Sequence, residues 1–92
     1  MPSLSTAQEI PLSQIPLYHP VVVSRYSGDH SFIERFRELG LTHGTQLIVC
    51  RRAPLGGSIE VECRGARLGL RLQEAAMIYV RCAHTQNGNG KL

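Results

Sequence analysis

Apolar residues recur along the chain with two different periods, and the change of period marks the elements. The run "PVVVSRY" from Pro20 to Tyr26 is rich in β-branched residues and predicts a strand starting at Pro20. "SGDHSFIERFRELG" then shifts to helical spacing, with Phe32, Ile33, Phe36 and Leu39 on one face. Ser31 with Glu34 three residues later reads as a capping box, and Asp29 is the rival cap. Gly40 follows the last periodic residue and fits a left-handed C-terminal cap. A helix of about two turns does not hold itself together in water. Phe32, Phe36 and Leu39 are therefore expected to pack onto a sheet as core residues.

After a turn at "LTHGTQ", the segments "QLIVCRR" and "SIEVECR" flank Pro54–Gly57 and predict a hairpin. Taking Pro54, Leu55 and Gly56 as the loop places Ala53 opposite Gly57, Val49 opposite Val61 and Leu47 opposite Cys63. Ile59, Val61 and Cys63 then share a face with Leu47 and Val49, away from Glu60 and Glu62. A slip by one residue would put the apolar set against the two glutamates. In this register Ile48 and Cys50 lie on the outer face. "RGARLGLRL" holds a tight turn at Arg64-Gly65 and another alternating strand, with Leu68, Leu70 and Leu72 on one side and Arg67, Gly69 and Arg71 on the other. Gly69 within a strand predicts a bulge or a close backbone approach. "QEAAM" predicts one helical turn, and "IYVRC" the last strand.

These elements predict an all-β domain with one short helix, an SH3-like small barrel, partly open, of about five strands. The folded body is expected over residues 11–82, preceded by a flexible segment at 1–10 and followed by a polar, glycine-rich disordered tail at 83–92.

Composition narrows the function. Ninety-two residues supply one small domain with a modest core. The apolar runs are far below the ~20 residues of a membrane helix, and "MPSLSTAQEIPL" has neither a basic start nor an apolar signal core. A cytoplasmic protein without membrane insertion is the expectation. The three cysteines, at 50, 63 and 82, have no CxxC spacing and read as free thiols. The four histidines are scattered, so the pattern assigns no metal ligands and no cofactor. No phosphate loop and no GxSxG nucleophile occur, and Glu60 with Glu62 reads as a polar strand face. The chain is not expected to be an enzyme. Nine of the ten basic residues are arginine, at a net charge of +3, which suits docking on an acidic surface.

Leu55 is the exception to this tidy pattern: an apolar side chain among the turn residues Pro54, Gly56 and Gly57. Either it folds back to plug the end of the barrel, or it projects as an anchor beside Arg51 and Arg52. One leucine contributes about 1.5–3 kcal/mol at most, so an anchor needs neighbours. Arg71 is a further candidate contact.

The run "RFRELGLTHGTQLIVCRRAPLGGSIEVECRGARLGLRLQEAAMIYV" resembles the A-component of the bacterial ferrous iron transport system, the FeoA family. The resemblance rests on RxxxLGL at Arg35–Leu41, Gly44, APLG at Ala53–Gly56, and LxLR at Leu68–Arg71 followed by Glu74-Ala75. It covers about residues 11–82, and it departs from the family at Phe36, where leucine is usual. The resemblance implies an SH3-like cytosolic barrel that assists a membrane ferrous iron permease. The permease carries a cytosolic GTP-binding domain on which the small protein is thought to dock. A trans-acting arginine would have to be Arg51, Arg52 or Arg71. A monomer or weak homodimer is expected, and iron is the partner's cargo. The family is also similar to the terminal SH3-like module of iron-dependent repressors, but no helix-turn-helix precedes it here. The rival class is a nucleic-acid-binding small barrel. It has arginines, yet Tyr18, Tyr26 and Tyr79 form no paired stacking motif.

Overall fold

A computed structural model describes residues 8–83 of the chain. Six strands run in order β1 (Ile10–Pro11), β2 (Val21–Tyr26), β3 (Gln46–Arg52), β4 (Ser58–Cys63), β5 (Ala66–Arg71) and β6 (Ile78–Cys82). A 3-10 turn at Leu12–Gln14 follows β1, helix α1 (His30–Glu38) joins β2 to β3, and helix α2 (Leu72–Ala75) joins β5 to β6. All pairings are antiparallel, in the order β1-β6-β2-β3-β4-β5. β1 and β5 stand at the two edges and the sheet stays open. The fold is thus mostly β, SH3-like, with the short helix α1, the single turn α2, and one strand more than the pattern predicted. That extra strand, Ile10–Pro11, is too short to show a period. The expected tail lies, apart from Ala83, outside the described residues, as do residues 1–7.

The core is one cluster. Val21 and Val23 of β2, Leu47 and Val49 of β3, Ile59 and Val61 of β4, Leu70 of β5, and Ile78 and Val80 of β6 are all buried in it. Leu12 and Ile15 close one part of it and Phe36 of α1 another. Each such side chain contributes about 1.5–3 kcal/mol when fully removed from water, which is what holds so small a domain together. Phe32, Leu39 and Leu68 are only partly buried and pack against this cluster.

Helix α1 is fixed at both ends. Asp29, not Ser31, is the N-cap: its Oδ1 accepts the backbone N–H of Ser31 at 3.1 Å and of Phe32 at 3.3 Å. Asp29 prevails because its extended backbone aims the carboxylate at the free amides, while Ser31 spends its hydroxyl on Asp29 at 2.7 Å. At the other end, Gly40 has φ +85°, its N–H donates to the Arg37 carbonyl, and Leu41 N–H donates to the Phe36 carbonyl. This double bond with apolar contact is a Schellman motif. The Tyr26 hydroxyl donates to the Leu41 carbonyl, and its ring lies 5.6 Å from that of Phe36. Burial pushes the Tyr26 phenol above its usual pKa. Gly44, also at φ +85°, donates its N–H to the Val23 carbonyl and turns the chain into β3.

The β3–β4 pairing corrects the expected register near the tip. Val49 faces Val61 and Ile48 faces Glu62, as the apolar pattern requires. Beyond Cys50 the register shifts by one, so Arg51 faces Glu60 and Arg52 faces Ile59. The cause is the loop: Ala53 N–H donates to the Ser58 carbonyl, so four residues, Pro54 to Gly57, form the bend rather than three. Cys50 is the extra residue and absorbs the mismatch as a bulge. It is buried rather than outer-facing, with its thiol 3.4 Å from the Glu60 carbonyl. The second hairpin turns at Arg64-Gly65 with φ of +54° and +80°, both positive as a two-residue hairpin requires. Gly69 is neither bulged nor crowded: it pairs regularly with Glu60, and a Cβ there would meet nothing within 4 Å.

Glu9 ties the start of the chain to the sheet. Its carboxylate accepts hydrogen bonds from Ser24, from Arg25 at 2.7 Å and from Arg81 at 3.1 Å, and Arg25 lies over the Tyr79 ring. The Ser24 hydroxyl, then Arg25 and Arg81, hold its pKa at about 2 rather than 4.5. A carboxylate depressed on folding stabilises above its unfolded pKa and loses that effect as pH falls through the folded value. The melting-temperature gap between wild type and Glu9→Gln should therefore be full above pH 4.5 and shrink toward pH 2. A gap that is flat across that range in calorimetric melts would contradict the assignment.

Candidate docking site

The β3–β4 bend is rigid for a loop. Proline fixes φ at Pro54, the Gly56 N–H donates to the Ala53 carbonyl at 2.9 Å, and Gly56 takes φ +79°. Leu55 stands at the apex and is 98% exposed. The plug reading fails: the bend is too tight and too far beyond the core for the side chain to return. Pro54, Gly56 and Gly57 are exposed with it.

The sequence-predicted arginines differ in their duties. Arg51 is exposed and makes no ion pair among the described residues. Arg52 is also exposed, but its Nη2 donates to the Ile15 carbonyl at 2.7 Å and pins the segment before β2 against the hairpin. Arg71 faces Ser58 across the β4–β5 ladder, at the base of the same loop. The next residue, Leu72, donates its N–H to the Gly57 carbonyl at 3.1 Å, joining the end of β5 to the bend. Arg51, Arg52, Pro54, Leu55, Gly56, Gly57 and Arg71 thus come together. Phe32, Phe36, Leu39, Gly40, Gly44, Leu68 and Leu70 lie in or against the core and in its turns.

Beside the bend is an open groove of about 240 Å³ lined by Arg51, Ala53, Pro54, Ser58, Ile59, Glu60 and Gly69. The missing side chain at Gly69 leaves its floor clear. Glu60 at its rim is paired with Arg67 at 3.3 Å, so Arg51 is the unpaired charge there. Among the described residues no group of three or more His, Cys, Asp or Glu could hold a metal ion.

Two features escaped sequence reasoning. Leu17 and Tyr18, 43% and 69% exposed, lie beside β3, where Tyr18 N–H donates to the Val49 carbonyl at 2.8 Å. The prolines at 16 and 20 were their one available signal. The other is Glu74, whose side chain is 8% exposed and whose Oε2 accepts from Arg35 Nε at 2.7 Å. Its Oε1 accepts the Arg71 N–H at 2.9 Å. One buried carboxylate therefore joins α1, α2 and the strand end that carries the bend.

The two ends of this contact, Arg35 and Glu74, stand in two separate stretches among those that carried the family resemblance. A protein-family model, the FeoA domain, matches residues 10–82. The chain belongs to the FeoA family. Membership supports a role in ferrous iron transport, in a family of accessory transport proteins. The solution structure of a FeoA protein from Chlorobium tepidum is 33% identical, with 90% of this chain and 81% of that one covered and a TM-score of 0.76. A FeoA-like protein from Clostridium acetobutylicum is similar in fold at 24% identity, covering 90% and 96%, with a TM-score of 0.75. A manganese-dependent transcriptional repressor matches at 25% identity and a TM-score of 0.77 over 82% of this chain but 37% of its own. No curated protein matches.

Removing Arg35 from this FeoA protein leaves a buried carboxylate with the Arg71 amide alone. Arg35→Ala should cost about 1–3 kcal/mol, the penalty of an under-satisfied buried polar group. Arg35→Lys should recover part of it as a point charge. An unshifted urea midpoint in Arg35→Ala would show that the contact carries no stability.

Proposed function

We propose that this FeoA protein is a non-catalytic accessory of ferrous iron uptake, acting at the cytoplasmic face. It docks through the β3–β4 bend on the cytosolic GTP-binding part of the iron permease and so modulates transport. The observation that carries the reading is Leu55, almost fully exposed on a bend that is hydrogen-bonded into one shape. Holding an apolar side chain in water has no folding benefit. A preformed bend loses little freedom on binding, so more of the burial of Leu55 appears as affinity.

Arg51, Arg52 and Arg71 stand at the base of this bend and bring positive charge to it. Such a rim speeds encounter with an acidic surface and sets orientation more than it adds affinity. No helix of the described residues is long and apolar enough to cross a membrane, so a membrane partner must be met from outside the bilayer. The groove beside the bend offers room for a side chain of the partner but no acid, base or nucleophile arranged for turnover.

Leu55→Glu tests this reading. The variant should melt within a degree or two of wild type, because the side chain touches nothing in the fold. Its affinity for permease-containing membranes should fall about tenfold or more, as expected for loss of a central anchor facing like charge. A folded Leu55→Glu protein that binds such membranes with wild-type affinity would end the anchor role. With GTP alone, the chain is expected to release no phosphate.

A further inference from the structure

The exposed large apolar residues among the described residues are Leu17, Tyr18 and Leu55. All three are placed by one strand, β3. Leu55 caps the hairpin that β3 begins. The Ile15–Tyr18 segment runs beside the same strand, fastened by the Arg52 side chain to the Ile15 carbonyl and by Tyr18 N–H to the Val49 carbonyl. At about 3.3 Å per residue, the span from the level of Val49 to the apex is roughly 20 Å at most. A standard interface of about 800 Å² per partner is wide enough to cover both ends.

Tyr18 is held at φ +63°, a left-handed conformation that side chains rarely adopt, and yet the residue is 69% exposed. A bulky residue in that region carries a backbone cost that core packing does not offset here, which is the kind of outlier found at binding surfaces. The unpaired charge here is positive: residues 15–20 and 50–58 contain Arg51 and Arg52 and no aspartate or glutamate, and the nearby Glu60 is paired with Arg67.

We infer that the Leu17-Tyr18 segment is the second half of the docking surface, and that it fits a protein partner whose apolar recess is edged by carboxylates. This rests on the docking reading above and extends it from the bend to the flank of β3. A protein is favoured over nucleic acid because two of the three apolar groups are aliphatic and offer no stacking face.

The test compares Leu55→Ser, Leu17→Ser and Tyr18→Gly in the full chain. Binding is measured by fluorescence anisotropy to the purified cytosolic domain of the permease. A single-stranded RNA and permease-free vesicles of anionic lipid serve as parallel probes. Glycine is at ease at positive φ, so Tyr18→Gly should keep its fold, and thermal melts check this. Each substitution should raise Kd about five- to thirtyfold, the usual range for an interface residue that matters. If Leu55→Ser weakens binding while both flank variants stay within about twofold of wild type, the flank is no part of the surface and the bend alone docks. If none of the three weakens binding, both readings fall. If RNA or vesicles bind as tightly as the domain and lose affinity with the same substitutions, the partner is not a protein and the inference is overturned.

Discussion

Two demands on one hairpin meet at Cys50. The core requires Val49 to face Val61, because only that alternation keeps the apolar side chains of β3 and β4 together. The bend Pro54–Gly57 requires Ala53 to pair with Ser58, one residue out of step. Carried down the ladder, the second register would set Val49 against Glu62. One bulged residue reconciles them, and the geometry of the proposed docking end depends on that compromise. It decides that Arg51 lies across from Glu60, that the groove opens beside Gly69, and that Leu55 leaves the sheet instead of entering it.

The far side of the bend is held by a different kind of contact. Glu74 receives Arg35 from α1 and the Arg71 amide from the end of β5, while the neighbouring Leu72 amide reaches Gly57. Two of the stretches that carried the resemblance, Arg35–Leu41 and Leu68–Ala75, thus help to place a third, the loop at Ala53–Gly56. Glu74 is their buried charge, Arg35 reaches it from a half-exposed position, and the bend lies between them in sequence. That division leaves the apex of the β3–β4 bend facing solvent, with Leu55 at its tip.

The helix face of Phe32, Phe36 and Leu39, the Gly40 cap and the alternation of β4 and β5 were legible in the sequence because one period governs each. The distal register of the first hairpin was legible for the same reason. The tip was not, since loop length is set by local hydrogen bonds that leave no hydrophobic trace. The plain assignment of Cys50 to the outer face failed with it. Asp29 and Ser31 were both chemically able to cap α1, and only backbone direction separates them. Ile10–Pro11 is too short for any pattern, and the exposure of Leu17 and Tyr18 depends on tertiary bonds to Val49 and Ile15 that no local rule contains. For the proposed site, residue types at 51–57 marked Leu55 as out of place in a turn but not which way it would point.

The bulge also gives the domain an internal gauge of its own motion. Cys50 is buried at the one place where the ladder is out of step, and its sulfur rests on a backbone carbonyl of the facing strand. Parting of β3 and β4 would open it to a thiol-directed label. Its labelling kinetics therefore count the openings of the hairpin itself, separately from global unfolding. A bound partner clamping the apex would be felt there as a slowing, without touching the cysteine.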